Sequence, residues 1–332
     1  MKQFSKMQLA LLQLLADGQC HSGNALGEHL GISRTAVWKY ISQLAELGLP
    51  VKRIRQQGYQ LTQPMQPLNE QLIRQHLNAK LFSKELHFHL FASIDSTNQF
   101  LKELVTSQAI HICCAEKQTR GRGRFGRHWV SPFGENIYCS SRWTLNCCLS
   151  RLSGLSLVVG LAILASLHDS QLSQDIRVKW PNDLLWNNKK LCGILIEIIA
   201  ETNGSAQVII GIGINVNTAT QKQPLADRPW CSLYEMTGNY FDRNILLANL
   251  IYHLNQYLEL FLTTGFSKFI EEWKKVDYLE GQFIKVMQPT GSISGEACGV
   301  NELGQLCLKD ELGKIHYLST GDTTLSSLDG SL

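Results

Sequence analysis

The chain has 332 residues, of which 44% are hydrophobic and 18% are charged. That length exceeds one typical domain, and that balance excludes a mostly disordered chain, so we expect roughly two or three folded domains. The net charge of +3 is unevenly placed: residues 1–63 carry seven Lys or Arg against three Asp or Glu, and the remainder carries 24 against 25. A basic N-terminal region on a near-neutral body indicates a polyanionic partner for the N-terminus.

The ten cysteines include two adjacent pairs, Cys113–Cys114 and Cys147–Cys148, and they form no C-x-x-C motif. This pattern favours reduced thiols over a disulfide scaffold. The first residues lack the apolar region of a signal peptide, so a cytoplasmic protein is expected. The most apolar stretch, 152–167, is interrupted by serines and glycines. It predicts a buried helix rather than a membrane span, and no membrane partner is expected.

The first elements predict a winged helix-turn-helix over residues 1–63. Leucines at helical spacing predict a helix over 6–16, and Ser22 and Ser33 are suitable caps for helices that end at Leu30 and Leu47. The segments VKRIR and GYQL, within 51–61, predict a basic hairpin. Three helices followed by such a hairpin are typical of a DNA-binding winged helix.

The third helix is the expected recognition helix, and the hairpin is the expected wing that meets phosphates. The side chains predicted to contact DNA are Ser33, Arg34, Thr35, Trp38 and Lys39 in the helix, and Lys52, Arg53 and Arg55 in the wing. A dimer is expected because DNA-binding domains of this kind often read two half-sites. A winged helix that binds another protein is the alternative.

The remaining chain predicts three further parts. Residues 64–80, with Pro64 and Pro67, are expected to be a linker and the start of the body. Mixed elements predict an α/β domain over 81–276, with strands within 110–115, 137–143, 176–179, 193–199 and 208–212 and helices within 96–104, 152–168 and 242–264. After Asp277, short strands separated by glycine and asparagine turns predict a small β-barrel over 277–332.

The segment QTRGRGRFGRHW, residues 118–129, is the most unusual in the chain. Its three glycines let the backbone present N–H groups to a ligand, and its four arginines supply planar donors for phosphate or carboxylate. It is no Walker A loop, because no Gly-Lys-Ser/Thr follows. A solvated basic loop or an RGG-like nucleic-acid contact is the alternative. The preceding apolar strand and the following Trp129 favour a folded binding site.

Two other segments carry candidate chemistry. Lys179 ends a predicted strand at a Trp-Pro bend, where its charge could neutralise a phosphoryl oxygen and a reacting carboxylate together. Asp183 could bind Mg²⁺ or orient Lys179, although ordinary turn chemistry also accounts for it. The residues of Asp95–Asn98 either start a helix in the usual way or use its N–H groups and hydroxyls to bind a polar ligand.

The segment GIGINVN, residues 211–217, predicts a strand that leaves the core through a turn. The polar stretch 218–228 and Pro229-Trp230 follow it. A mobile lid over a nucleotide, with Trp230 stacking on the base, is one interpretation. A tryptophan that anchors its own loop is the other.

Together these motifs resemble the bifunctional biotin–protein ligase and biotin operon repressor family. The resemblance covers nearly the whole chain, and GRGRFGR with KWPND is its most specific part. The motifs that carry it are Ser96-Thr97-Asn98, Gln118, GRGRFGR (121–127), Trp129, SPFG (131–134), KWPNDL (179–184), KLCGILIE (190–197) and GIGINVN (211–217), with HSGNALGEHLGISR (21–34) resembling the DNA-binding domain.

The resemblance implies an α+β multidomain fold: an N-terminal winged helix-turn-helix, a central mixed α/β biotin-ligase catalytic domain and a C-terminal SH3-like β-barrel. It implies a two-step reaction in which biotin and MgATP give biotinyl-5′-AMP, and a lysine of biotin carboxyl carrier protein of acetyl-CoA carboxylase then takes the biotin. It also implies that the adenylate promotes homodimerisation and binding of operator DNA, so that biotin represses its own synthesis.

The resemblance also assigns roles residue by residue. Arg122, Arg124 and Lys179 are the implied catalytic residues. The implied biotin-binding residues are Ser96, Thr97, Asn98, Gln118, Gly121, Arg122, Gly123, Arg124, Lys179, Gly193, Gly211 and Gly213. The implied nucleotide-binding residues are Arg122, Arg124, Lys179, Asn182, Asn215 and Trp230.

Two positions depart from the family pattern. Phe125 stands where a basic residue is common, and the segment 321–327 lacks a basic residue found in some members. Two other functions stay open at this stage. A biotin sensor without catalysis would need no phosphate-binding cluster, so Arg122, Arg124 and Lys179 argue against it. A lipoate-type ligase would share the core, and KWPND with GRGR favours biotin.

Overall fold

The computed structural model describes residues 1–63, 65–80, 82–105, 109–172, 175–202, 204–219, 228–289 and 291–325. The chain forms two compact units that alternate along the sequence. The first unit comprises 1–142, 209–226 and 231–248, and the second comprises 143–208, 227–230 and 249–332.

The first unit begins with the predicted winged helix. Its elements are α1 (Lys6–Leu15), α2 (Gly23–Leu30), α3 (Arg34–Leu47), β1 (Val51–Ile54) and β2 (Gly58–Leu61). Ser22 and Ser33 cap α2 and α3 by accepting from the backbone amides three residues on, as the sequence predicts. Gly31 and Gly48 end these helices in the left-handed conformation. Leucines of α1 pack against Val37, Ile41 and Leu44 of α3.

The winged helix shares its core with residues of the body in this unit. Met65, Ala92 and Phe133 belong to the same hydrophobic cluster as the three helices. The Lys117 ammonium donates to the Leu47 carbonyl at the end of α3, at 3.3 Å.

The central elements follow in chain order. They are α4 (Glu70–Ala79), β3 (Leu86–Phe91), α5 (Thr97–Glu103), β4 (Ile110–Ala115), β5 (Ile137–Leu145), α6 (Leu155–His168), β6 (Arg177–Lys179), β7 (Asp183–Trp186), β8 (Lys189–Thr202), β9 (Ser205–Ile214), α7 (Leu233–Thr237), α8 (Arg243–Thr264) and α9 (Ile270–Lys274). The strands form a mixed sheet of order β3-β4-β5-β9-β8-β7-β6. Strands β3 and β4 run parallel, whereas β4–β5, β6–β7 and β7–β8 pair antiparallel.

Several central elements differ from the sequence prediction. Strand β8 spans 189–202, longer than the predicted 193–199, because a turn after β7 starts a hairpin four residues earlier. Helix α6 begins at Leu155, after a 3-10 turn over Leu149–Leu152, because Gly154 takes a left-handed conformation. Its residues are apolar on nearly every side, and ten of them are buried. The predicted buried helix is confirmed.

The C-terminal elements belong to the second unit. They are β10 (Phe283–Gln288), β11 (Gly291–Val300), β12 (Leu306–Lys309), β13 (Ile315–Leu318) and β14 (Asp322–Leu325), in the antiparallel order β13-β12-β11-β10-β14. Alternate residues such as Ile284, Val286, Leu306 and Leu308 are fully buried. The predicted fold class is confirmed. Within the described ranges, no helix has the length and apolar character needed to cross a membrane.

Three histidines meet where β3 pairs with β4. His87 lies opposite His111, and the His89 Nε2 and His111 Nδ1 atoms are 3.1 Å apart. Burial is the largest cause that lowers the pKa of His89 and of His111, and the charge of His87 adds to it. Glu70 raises the pKa of His89, and Arg142 lowers that of His111. Protonation of His89 and of His111 is therefore less favourable in the folded chain than in the unfolded chain.

We expect the free energy of unfolding to fall as the pH drops below about 6.5, the ordinary histidine pKa. The unfolded chain takes up protons there, whereas the folded chain, with its lowered histidine pKa values, does not. Urea unfolding at about pH 7.5 and about pH 5.5 measures this loss. His89→Gln should reduce the loss, and the exposed His168→Gln is the control. An equal loss in wild type and His89→Gln would contradict the expectation.

Candidate functional site

A buried polar cluster lies at the start of α5 in the first unit. Ser96, Thr97 and Asn98 are each 3–4% exposed. The Thr97 amide and hydroxyl both donate to Gln118 Oε1, at 2.9 and 3.1 Å. The Ser140 hydroxyl lies 2.6 Å from Thr97 Oγ1 and 2.5 Å from Asn98 Oδ1. The structure thus brings together four of the predicted biotin-binding residues and adds Ser140, which the sequence motifs did not mark.

Glycines allow the backbone to approach this cluster closely. A Cβ atom at Gly211 would overlap the Asn98 side-chain amide, and one at Gly121 would overlap the Trp129 carbonyl. A Cβ atom at Gly213 would lie 2.5 Å from the Trp129 ring. Glycine is required at these three positions by contact rather than by backbone angle, because none of them has a positive φ.

The arginine loop extends from this cluster. The Arg122 guanidinium donates to Gln99 Oε1 of α5 at 3.0 Å. A 3-10 turn spans Arg124–Gly126, and the Gly123 amide donates to the Arg127 carbonyl at 2.7 Å. Phe125 has a left-handed backbone (φ 54°), and its ring lies 4.9 Å below the Arg124 guanidinium. The loop is therefore a folded turn, with most of its side chains exposed.

The residues after β9 are fixed by side-chain hydrogen bonds. Asn136 Oδ1 accepts from the Val216 amide at 2.8 Å and from the Thr218 hydroxyl at 2.9 Å. Asn215 is buried, and its carbonyl accepts from the Leu233 amide. The stretch predicted as a lid continues through 220–227, which lies outside the described residues.

Sequence reasoning missed one buried ion pair in this unit. Arg243 and Glu116 are 1% and 2% exposed, and their Nη1 and Oε2 atoms are 2.7 Å apart. Arg243 also donates to the Asn136 and Gln66 carbonyls, and Glu116 accepts from the Leu68 amide. A glutamate placed directly after the apolar run of β4 was the available signal for this pair.

The second unit carries Lys179 and Asn182, two of the residues predicted to bind the nucleotide. Lys179 ends β6, and its ammonium donates to the Thr323 carbonyl at 2.8 Å. Burial lowers the pKa of Lys179, and Asp183 opposes that shift. The Asn182 side chain donates to the Ile194 carbonyl at 3.0 Å. Gly193, which lies opposite Asp183 in the β7–β8 ladder, belongs to the same corner of this unit.

Asp183 and Trp230 also lie in this corner. Asp183 Oδ1 is 2.7 Å from the Lys190 ammonium. Trp230 forms a parallel bridge with Lys190, whose amide donates to the Pro229 carbonyl. Over the described ranges, no three His, Cys, Asp or Glu side chains are grouped in a way that could hold a metal ion.

Comparison with known proteins agrees with the class of protein that the sequence motifs predict. Residues 90–215 match the biotin/lipoate A/B protein ligase family, and residues 7–60 match a helix-turn-helix domain. The chain is 38% identical to the bifunctional ligase/repressor BirA of Salmonella typhimurium, over 97% of this chain and 98% of that relative. It is 32% identical to BirA of Bacillus subtilis, over 93% of this chain and 96% of that relative.

A solved structure is also similar. The biotin protein ligase from Aquifex aeolicus, in complex with biotin and ATP, has 30% identity and a TM-score of 0.61, and the match covers 72% of this chain and 98% of that one. This chain belongs to the family of bifunctional biotin–protein ligases and repressors. The predicted family and enzyme class are confirmed, as are biotin and ATP as its small-molecule ligands.

We expect Gly211→Ala to displace Asn98, because the new methyl group and the amide cannot occupy the same space. Overpacking of this kind costs about 1–3 kcal/mol. Urea unfolding measures the loss. Gly123→Ala is a suitable control, since a Cβ atom there meets its nearest neighbour at 3.5 Å. Equal stability of Gly211→Ala and wild type would show that the strand moves to make room.

Proposed function

We propose that one group of residues in this biotin–protein ligase binds biotin and that a second, charged group promotes its adenylation. Biotin's carboxylate attacks the α-phosphorus of MgATP, a C–O–P linkage forms, and pyrophosphate leaves. The amine of a lysine on biotin carboxyl carrier protein of acetyl-CoA carboxylase then attacks the carbonyl of biotinyl-5′-AMP, and AMP leaves. The single observation that carries the biotin half is the buried, glycine-lined cluster of Ser96, Thr97, Asn98 and Gln118.

That cluster suits a neutral polar ligand head. Hydroxyl and amide groups can each donate or accept, and their burial makes an unsatisfied group costly. Gly121, Gly211 and Gly213 let the chain pack closely around this cluster, because a Cβ atom at each of them would meet Trp129 or Asn98. We assign biotin binding to these residues, together with Gly123 and Gly193.

The charged residues promote the adenylation of biotin. Adenylation brings a carboxylate and a triphosphate together, so fixed cations lower the barrier most where negative charge develops. We assign this role to Arg122 and Arg124 on the arginine loop and to Lys179. Mg²⁺ enters with ATP as part of the substrate and neutralises phosphate charge. Asn182, Asn215 and Trp230 complete the proposed nucleotide contacts.

The N-terminal domain supplies the repressor function. Arg34, Thr35 and Lys39 are exposed on the recognition helix, and Trp38 is 51% exposed. Lys52, Arg53 and Arg55 are exposed on the wing. We assign operator DNA to this surface, with Ser33 at the helix start, and a homodimer that forms when the adenylate is bound. Domain bounds of 1–63, 64–80, 81–276 and 277–332 belong to the same proposal.

Lys179→Ala and Arg124→Ala should each lower adenylate formation roughly 100- to 1000-fold, because one preorganised donor to developing charge is lost. Biotin-dependent exchange of labelled pyrophosphate into ATP measures this step. Lys189→Ala, at the exposed start of β8, is the charge control. Exchange at the wild-type rate in both active-site variants would refute the assignment.

Biotin with ATP should tighten binding to a duplex that carries the two half-sites of the operator of the biotin synthesis genes. Arg34→Ala should weaken that binding by roughly 1–3 kcal/mol without changing pyrophosphate exchange. Gel shifts with and without the two ligands measure both effects. DNA affinity that does not respond to biotin plus ATP would contradict the switch.

A further inference from the structure

One cation of the second unit, Arg228, ends the polar stretch 218–228 and has no role among those that the sequence motifs imply. Arg228 faces Asp322 of β14 with Nη2–Oδ2 and Nη1–Oδ1 distances of 2.8 and 3.4 Å. The two side chains are 39% and 24% exposed. Water screens an ion pair this exposed, so it adds little to stability and a competing anion can displace the carboxylate at small cost.

This pair adjoins Lys179 through the backbone. Lys179 donates to the carbonyl of Thr323, the residue after Asp322. Thr323 in turn donates from its hydroxyl to the Trp180 carbonyl, at 3.3 Å. Arg228 and Asp322 are both among the charges that act on the Lys179 ammonium. The guanidinium therefore lies in the electrostatic neighbourhood of the residue assigned to the reacting phosphate.

A backbone hydrogen bond holds the residue that follows Arg228. The carbonyl of Pro229, the next residue, accepts from the Lys190 amide at 2.9 Å. Lys190 also pairs with Asp183 at 2.7 Å. Three cations, Lys179, Lys190 and Arg228, thus face two carboxylates. The excess of positive charge suits a polyanion rather than a neutral ligand.

The guanidinium has the geometry for phosphate. Arginine carries five N–H donors, and a fork to one carboxylate uses two of them. The same fork matches two oxygens of a phosphate or pyrophosphate. Lys179 alone is a point charge. It neutralises charge where the carboxylate meets the α-phosphate, but it does not span the outer phosphates of a triphosphate.

We propose that Arg228 binds the outer phosphates of ATP and the pyrophosphate that leaves, exchanging the Asp322 carboxylate for phosphate oxygens. This inference rests on the proposed function. As biotin's carboxylate bonds to the α-phosphorus, the bond from that phosphorus to the bridging oxygen breaks, and its electron pair stays with pyrophosphate. Arg228 holds that charge and transfers no proton.

The reverse of the adenylation step tests the contact between Arg228 and pyrophosphate directly. Biotinyl-5′-AMP and inorganic pyrophosphate give biotin and ATP in the full-length protein. Arg228→Gln should raise the KM for pyrophosphate, and that for ATP in the forward direction, roughly 10- to 100-fold. Transfer of biotin from preformed biotinyl-5′-AMP to the carrier lysine should stay unchanged, because that intermediate has neither outer phosphate.

Two variants separate binding from a structural role. Asp322→Asn breaks the same ion pair but keeps the guanidinium, so the KM for pyrophosphate should not rise. Arg151→Gln, an exposed arginine that donates to the Leu262 carbonyl, controls for net charge. An equal rise for Arg228→Gln and Asp322→Asn would overturn the inference, as would an unchanged KM in Arg228→Gln. Absence of biotin-dependent exchange in wild type would instead refute the proposed function.

Discussion

The first unit depends on one interaction, the buried ion pair between Arg243 and Glu116. Removing two charges from water costs several kcal/mol per ion, and close geometry with full hydrogen bonding is needed to offset that cost. Both conditions hold here. The two charged atoms are 2.7 Å apart, and the guanidinium also donates to two backbone carbonyls. The second Glu116 oxygen accepts from the Leu68 amide.

Each partner of the pair fixes a different segment around the proposed biotin-binding cluster of Ser96, Thr97, Asn98 and Gln118. Glu116 is two residues before Gln118, so it sets the path of the chain into the arginine loop. The carbonyl of Asn136 accepts from Arg243, and its side chain accepts from Val216 and Thr218 beyond β9. The same guanidinium holds the segment that follows the winged helix, through the Gln66 carbonyl.

Much of this molecule follows from local sequence rules. Helices α2 and α3 were predictable to within a residue, because Ser22, Ser33, Gly31 and Gly48 act through contacts three or four positions away. The polar and charged motifs were likewise visible as clusters of unusual composition. The start of β8 was not predictable, since its bounds depend on a hairpin partner rather than on its own apolar run.

The remaining features escaped because they join distant positions. Arg243 and Glu116 are separated by 127 positions, and Arg228 and Asp322 by 94. Either member of each pair alone is an ordinary charged residue. Ser140 is similar: it lies in an apolar strand, and only its distance to Thr97 and Asn98 gives it significance. The spacing of residues along a single sequence does not predict such long-range contacts.

The three glycines around the proposed biotin-binding cluster have a consequence for protein engineering. Gly121, Gly211 and Gly213 already have the smallest side chain, so no substitution at these positions can create space around the cluster. Under the proposed assignment of biotin to this cluster, a ligase redesigned for bulkier biotin analogues must gain its space from Trp129, whose ring lies against Gly213, or from the hydroxyl of Ser140. Mutant libraries should therefore leave the three glycines unchanged. Such libraries would contain fewer misfolded variants and would still vary Trp129 and Ser140, where a smaller side chain creates volume.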